Sequence, residues 1–201
     1  MMSTESHYPD YDVRDSLKEW DPLTTDLVLK RLGPFPPLKF IKDEEEPKLR
    51  RIAKHLVYDS RDEIIDWVIH FLDQRLNNNQ GEYQRKPKSP PEDVLIRKGL
   101  QAIDTVAEKI YDNRFLEIKI RQQFEILSKL QVGKAPDIPA WSSIPQKELF
   151  DKLLTLTISA YFSHPTVWSE MGYGGPAYPR GYYRTEFGLA DPWEAERKED
   201  Q

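Results

Sequence analysis

The sequence predicts an all-α fold, an irregular bundle of about five helices with long irregular N- and C-terminal arms. Apolar residues recur at helical spacing through the middle of the 201-residue chain. No stretch alternates apolar and polar residues over the length of a strand. Aromatic residues, prolines and glycines are concentrated toward the two ends, where they disfavour regular structure. Together these observations predict helices in the middle and irregular arms on either side.

Two helices are predicted in the first part of the middle region. Over residues 48–58 the apolar positions follow the i, i+3, i+4, i+7 pattern of one helical face, and Pro47 suits the start of that helix. A second helix is predicted to start directly after the first, because Ser60 and Glu63 have the spacing of a capping box. This second helix carries a wide apolar stripe and is predicted to end near Asn77.

Three further helices are predicted after the polar loop of residues 82–91. The first covers residues 91–113 and the second residues 115–131, with Gly133 as its stop signal. The last begins near Pro145 and ends before Pro165, since a residue that precedes proline disfavours the helical conformation.

The composition divides the chain into three parts. Residues 1–40 are predicted to form an N-terminal arm with one short helix at about 23–32, and residues 41–165 a helical core domain. Residues 166–201 are predicted to form an irregular C-terminal docking segment. Five of the nine glycines and four of the ten tyrosines lie within 164–193, a stretch too aromatic to remain free in water.

Composition also excludes several classes of protein. The chain has no cysteine, which rules out disulfides and thiolate metal sites, and its net charge of −5 argues against general nucleic-acid binding. It has no apolar run long enough for membrane insertion. The first residues resemble neither a Sec nor a twin-Arg signal, so a cytoplasmic location is expected, or a periplasmic one if a partner exports the chain.

No motif in the sequence predicts an active site. The Gly-rich run at 172–176 lacks both phosphate-binding patterns, and its glycines are expected to form turns that permit close backbone approach. Asp66, His70 and Asp73 share one helical face and could hold a metal, but such a line is more typical of a solvated polar face. We therefore predict no catalytic, cofactor-binding or metal-binding residue.

The aromatic C-terminal segment is the candidate binding region, because Tyr, Trp, Arg and Met are enriched at protein interfaces. It either folds back over the helices and completes their core, or docks on a partner subunit. Composition does not separate these alternatives. The residues predicted to bind a partner are His164, Trp168, Tyr173, Tyr178, Arg180, Tyr182, Arg184 and Trp193.

Several motifs resemble one family. They are GLQAIDTVAEKIYDNRFLEI at 99–118, ISAYFSHPTVWSEMGYGGPAYPRGYYR at 158–184 and Asp-Pro-Trp-Glu-Ala at 191–195. The Gln-rich helix start at 122–123 and the opening SLKEWDPLTTDLVLKRL at 16–32 fit the same pattern. Together these residues resemble the gluconate 2-dehydrogenase subunit 3 family.

The resemblance implies a small, non-catalytic subunit without a cofactor of its own. Members of the family accompany an FAD-bearing large subunit of the glucose–methanol–choline (GMC) oxidoreductase type, which oxidises a sugar, and a cytochrome c subunit completes some of these complexes. The family has no recognised catalytic residues to carry over. The alternative is a stand-alone carbohydrate-binding helical protein or enzyme that uses the aromatic C-terminal segment as its platform.

Overall fold

The chain divides into two compact units. A computed structural model describes residues 6–78, 90–181 and 189–196. One unit, here called the terminal unit, combines Met1–Phe35 with Tyr161–Gln201, and the other, the central unit, is Pro36–Ala160. No helix within the described ranges is long and apolar enough to cross a membrane.

The fold is all-α, as predicted, and the described residues contain no strand. Short 3-10 helices lie at Val13–Glu19, Lys30–Leu32 and Pro139–Ser142. The α-helices of the described residues are α1 (Pro22–Leu29), α2 (Glu46–Val57), α3 (Asp62–Asn77), α4 (Glu92–Tyr111), α5 (Ile120–Val132), α6 (Gln146–Tyr161) and α7 (Pro165–Met171).

The central unit is built from α2 to α6, the five helices that the apolar periodicity predicts. Helix α2 packs on α3, α3 on α4, and α4 on α5. The indole of Trp67 on α3 donates a hydrogen bond to the carbonyl of Ala160 at 3.0 Å, which joins α3 to α6. Gly99 on α4 leaves room for Leu149 on α6, because a side chain at position 99 would collide with the Leu149 methyl groups. Apolar residues at helical spacing, among them Ile52, Ile64, Ile103, Leu130 and Leu153, are buried.

Helix α3 begins differently from the prediction. Its N-cap is Arg61, and no side-chain cap is formed, so the predicted Ser60–Glu63 capping box is wrong. Asp59 instead accepts a hydrogen bond from the backbone N–H of Arg61 at 2.9 Å and pairs with the Arg61 guanidinium. A turn closed by the side chain of Asp59 on Arg61 therefore precedes α3 where the capping box was predicted.

Helix α5 begins at Ile120 rather than at Phe115, because side chains of α4 and of α5 itself bind the backbone of residues 115–118. The N–H of Phe115 donates to the carboxylate of Asp104 at 3.1 Å. The buried amide of Gln123 donates to the carbonyls of Phe115 and Ile118 at 2.8 and 3.3 Å. These bonds give the N–H of Phe115 and the carbonyls of Phe115 and Ile118 partners outside a helix, which stabilises the turn before α5.

Asp73 and His70 are buried, so the prediction that they belong to a solvated polar face is wrong. One carboxylate oxygen of Asp73 accepts the N–H of Lys39 at 2.9 Å, and the other accepts those of Phe40 and Ile41, both at 2.8 Å. Asp73 thus fixes the segment that leads into α2. A charged acceptor that serves three backbone donors is strongly favoured over a neutral one.

We predict that Asp73→Asn destabilises the protein by about 2 kcal/mol, because the new amide group would present a donor to a backbone N–H. The free energy of unfolding from urea titrations measures the effect. Asp151→Asn replaces an exposed aspartate of α6 and is the matched control. Equal stability of the two variants would contradict the role assigned to Asp73.

A second prediction concerns His55, whose ring Nε2 lies 2.7 Å from the side-chain oxygen of Gln123 and therefore carries the proton. Burial lowers the pKa of His55 from its ordinary value, the hydrogen bond with Gln123 opposes this, and Arg51 adds to the lowering. Because the folded form binds the proton less readily than the unfolded chain, this contribution to stability is present above about pH 6.5 and is lost as the pH falls through the lower, folded pKa.

Urea titrations from pH 7.5 to 5 should therefore show a smaller loss of stability for His55→Gln than for the unmodified chain. His7→Gln, which removes an exposed histidine, controls for the loss of an imidazole. An unchanged pH profile in His55→Gln would show that His55 does not contribute in this way.

Candidate functional site

The terminal unit has a core made by two segments that lie far apart in the sequence. Val13, Trp20 and Val28 come from the N-terminal segment and Trp168 from the C-terminal one, and all four are buried together. Tyr11 and Leu17 pack against them at the edge of this cluster. The aromatic residues of the two arms therefore cover each other.

Helix α7 covers Pro165–Met171, so the prediction that residues 166–201 are irregular is wrong for residues 166–171. His164 is its N-cap, and the ring Nδ1 accepts a hydrogen bond from the N–H of Thr166 at 3.2 Å. Helix α6 ends at Tyr161, before Pro165 as expected, and Pro165 occupies the first turn of a new helix, where a missing N–H costs nothing. The indole of Trp168 on α7 donates to the carbonyl of Phe162 at 2.6 Å.

Arg180 joins the two segments at one point. Its guanidinium lies over the ring of Trp193, 4.4 Å from the ring centre, and over the ring of Trp20 at 5.5 Å. It also pairs with the carboxylate of Glu19 at 3.0 Å and donates to the carbonyl of Pro176 at 3.0 Å. The side chain is only 6% exposed, so these cation–π and ionic contacts are largely shielded from water.

Two glycines bring the backbone against these rings. A side chain at Gly174 would collide with the ring of Trp193, and one at Gly175 with the ring of Trp20. The carbonyl of Gly174 in turn accepts a hydrogen bond from Arg180 at 2.5 Å. The predicted role of the Gly-rich run, close approach of the backbone, is therefore confirmed at both positions.

Hydrogen bonds extend the contact between the segments. The hydroxyl of Tyr11 donates to the carbonyl of Trp193 at 2.7 Å, and burial raises the pKa of Tyr11, with Arg180 acting in the opposite direction. The N–H of Val13 donates to the hydroxyl of Ser169 on α7 at 3.0 Å. The second of these bonds joins the first 3-10 helix to α7.

Trp168 is contacted from two further sides. The guanidinium of Arg31 lies 5.1 Å from its ring centre and donates to the carbonyl of Ser163 at 2.7 Å. Burial lowers the pKa of Arg31, and the nearby Tyr173 opposes part of this lowering. The ring of Tyr173 meets Trp168 edge-on at 5.5 Å, a geometry that aromatic pairs favour.

The predicted binding residues fall into three groups. His164, Trp168 and the Arg180 side chain are buried inside the terminal unit, and Trp193 is partly buried. Tyr173 and Tyr178 are 43% and 70% exposed and can meet a partner directly. Tyr182 and Arg184 lie outside the described residues. Binding of a partner by these eight residues stays a prediction.

Sequence reasoning missed the residues of the N-terminal segment that pair with them: Tyr11, Glu19, Trp20 and Arg31. The aromatic character of that segment was visible, but no spacing rule links residues that lie more than 130 positions apart.

The arrangement is suited to holding two segments together. The guanidinium of Arg180 and the hydroxyl of Tyr11 bind groups of the unit itself. A sugar platform needs an open aromatic face. Trp168 is buried and Arg180 lies over Trp20 and Trp193, so among the described aromatic residues of the C-terminal segment the exposed rings are those of Tyr173 and Tyr178. In the described parts of the chain, no three His, Asp or Glu side chains are grouped so that they could hold a metal ion.

Residues 43–175, about two thirds of the chain, match the family described as gluconate 2-dehydrogenase subunit 3. The chain belongs to the gluconate 2-dehydrogenase subunit 3 family. The match spans α2 to α7 and ends at Gly175, so it includes the glycines that contact Trp193 and Trp20. Comparisons with curated proteins and with solved structures returned no match. By its description, the subunit 3 family consists of components of a dehydrogenase complex.

For this member of the subunit 3 family we predict that Arg180→Lys destabilises the terminal unit by about 2 kcal/mol. Lysine keeps the charge but loses the planar group that lies over the rings and binds carbonyls and a carboxylate together. Urea unfolding followed by tryptophan fluorescence measures the loss. Arg14→Lys alters a half-exposed arginine paired with Asp12, and this control should change stability by less than about 0.5 kcal/mol. Equal effects of the two substitutions would contradict the assignment.

Proposed function

We propose that this chain is a non-catalytic accessory subunit that binds the FAD-bearing large subunit of a GMC-type sugar dehydrogenase and stabilises or matures it. The observation that carries the proposal is membership of the gluconate 2-dehydrogenase subunit 3 family over residues 43–175. In this proposal FAD and the substrate pocket belong to the large subunit. A cytochrome c subunit is a further candidate component, and the cytoplasm is the proposed location.

The chemistry of the terminal unit supports a role in binding rather than in catalysis. Arg180 lies over two indole rings, where its charge serves packing and ion pairing. His164 caps α7, because its ring Nδ1 accepts a hydrogen bond from the N–H of Thr166. This nitrogen therefore already has a partner within the fold. Groups committed in this way to the fold are poorly placed to exchange protons with a substrate.

The exposed apolar surface of the terminal unit supports the same proposal. Tyr178 is 70% exposed, and Phe162 and Met171 are each 51% exposed. Aromatic and methionine side chains are enriched in interfaces between proteins. An accessory subunit that remains bound to a large enzyme needs a surface of this kind, since obligate interfaces are more apolar than transient ones.

Co-expression with the large flavoprotein subunit tests the proposal. We expect the two chains to elute together in size-exclusion chromatography, and we expect the large subunit expressed alone to yield less soluble, FAD-loaded protein. Separate elution, with a large subunit that is fully soluble and active alone, would overturn the proposed function.

A titration of the isolated chain with monosaccharides and disaccharides, followed by tryptophan fluorescence, tests the carbohydrate-binding alternative. We expect no saturable quenching up to millimolar sugar. Saturable quenching together with separate elution would favour the alternative.

A further inference from the structure

Arg51 on α2 has no carboxylate partner among the described residues. Its contact with another side chain is a hydrogen bond of 3.5 Å to the side-chain oxygen of Gln123. Three other basic residues of the same helix each pair with carboxylates: Lys48 with Asp104, Arg50 with Glu46 and Asp66, and Lys54 with Asp62. The fold therefore neutralises these three charges of α2 and leaves that of Arg51.

The oxygen of Gln123 is already occupied by a closer donor. Gln123 is buried, and its amide nitrogen donates to two backbone carbonyls, which fixes the direction of its oxygen. His55, one turn after Arg51, lies with its ring Nε2 2.7 Å from this oxygen, whereas Arg51 lies at the limit of a hydrogen bond. Since a guanidinium has five N–H donors, most of those of Arg51 are available to an acceptor on another molecule.

The electrostatic surroundings of His55 show that this face of α2 is positive. Burial lowers the pKa of His55, and Arg51 is the charged group that adds to the lowering. Among the described residues no carboxylate opposes it. From α5, the uncharged side chains of Gln123 and Phe124 contact the ring. The carboxylates that pair with the other basic residues of α2 thus leave the charge of Arg51 uncompensated on this side.

Tyr58 ends the same helix in a conformation that tyrosine rarely adopts. It is the C-cap of α2 with φ 55°, in the left-handed region where glycine and asparagine are favoured. Its side chain is 81% exposed, so burial within this chain does not offset the strain. An exposed aromatic ring on a strained backbone indicates a functional contact.

Arg51 and Tyr58 are close enough to share one contact. Seven residues of an α-helix span about 10 Å, well within an interface of about 800 Å² per partner. Next to Tyr58, Asp59 and Arg61 pair with each other, so neither offers Arg51 a partner. We name Arg51, His55 and Tyr58 the α2 surface.

We propose that the α2 surface binds the dehydrogenase large subunit, with a carboxylate of that subunit paired with the Arg51 guanidinium and an apolar contact over Tyr58. This inference rests on the proposed function, which supplies the partner. Charge complementarity selects a carboxylate, because the planar guanidinium binds one through two parallel hydrogen bonds. Arginine and tyrosine are also enriched among the residues that dominate binding at interfaces. Helix α2 lies within the residues that match the family, so the contact adds a charged anchor in the central unit to the exposed residues of the terminal unit.

Tyr58→Gly separates stability from binding. Because glycine suits the left-handed C-cap, we expect the Tm to rise by about 2 °C. Binding to the FAD-loaded large subunit, measured by biolayer interferometry, should nevertheless weaken about tenfold. Asp112→Gly is the matched control, since Asp112 is an exposed C-cap of α4 with φ 58°. It should raise the Tm in the same way and bind within about twofold of the unmodified chain.

Arg51→Gln tests the charge. Since Arg51 has no carboxylate partner in the described fold, we expect the Tm to change by less than about 1 °C and the affinity to fall about tenfold. Salt screens an ion pair, so between about 50 and 500 mM NaCl the unmodified chain should lose affinity more steeply than Arg51→Gln. Lys98→Gln removes an exposed charge of α4 and should bind within about twofold of the unmodified chain.

The outcomes separate this inference from the proposed function. No binding by the unmodified chain overturns the proposed function itself. If neither substitution weakens binding, or only one does, the α2 surface is not the docking site and the proposed function is unaffected. Equal salt dependence of the unmodified chain and Arg51→Gln contradicts a carboxylate opposite Arg51. A dimer of this chain that Arg51→Gln or Tyr58→Gly dissociates, with large-subunit binding unchanged, also overturns the assignment.

Discussion

The contact of the Arg180 guanidinium with Trp20 and Trp193 is the interaction on which the terminal unit depends. Both indoles are large apolar groups on segments too rich in proline and glycine to bury them locally. The guanidinium covers their faces, and its two terminal nitrogens donate hydrogen bonds to the carboxylate of Glu19 and to backbone carbonyls. Gly174 and Gly175 complete the packing, since only a backbone without a side chain comes close enough to the rings.

The two units are stabilised by different kinds of contact. The central unit is a helical bundle whose stability follows from buried apolar stripes and a few buried polar groups such as Asp73 and Gln123. The terminal unit gathers most of the exposed apolar side chains and holds α1 in place through Val28 and Arg31. The accessory role that we propose would use both properties, a stable fold and an ordered, partly apolar surface.

Periodicity in the sequence was sufficient to predict the class of fold and the five helices of the central unit. It failed where side-chain hydrogen bonds to the backbone decide the local structure: α5 starts late because Asp104 and Gln123 bind the backbone of the preceding turn. Helix α7 was missed because Pro165 was interpreted only as a stop signal. The pairing of Trp20 with Arg180 has no sequence signal, since composition marks both segments as aromatic without indicating what covers them.

Hydrogen exchange of a Gly174→Ala variant tests the central claim most directly. The new methyl group would displace the Trp193 ring, so the account predicts faster amide exchange in the N-terminal segment, over Val13–Glu19 and α1, about 150 residues away in sequence. Helices α3 and α4 of the central unit provide the internal reference. Faster exchange confined to residues near 174, with Val13–Glu19 protected as in the unmodified chain, would contradict the claim that the two segments stabilise one another.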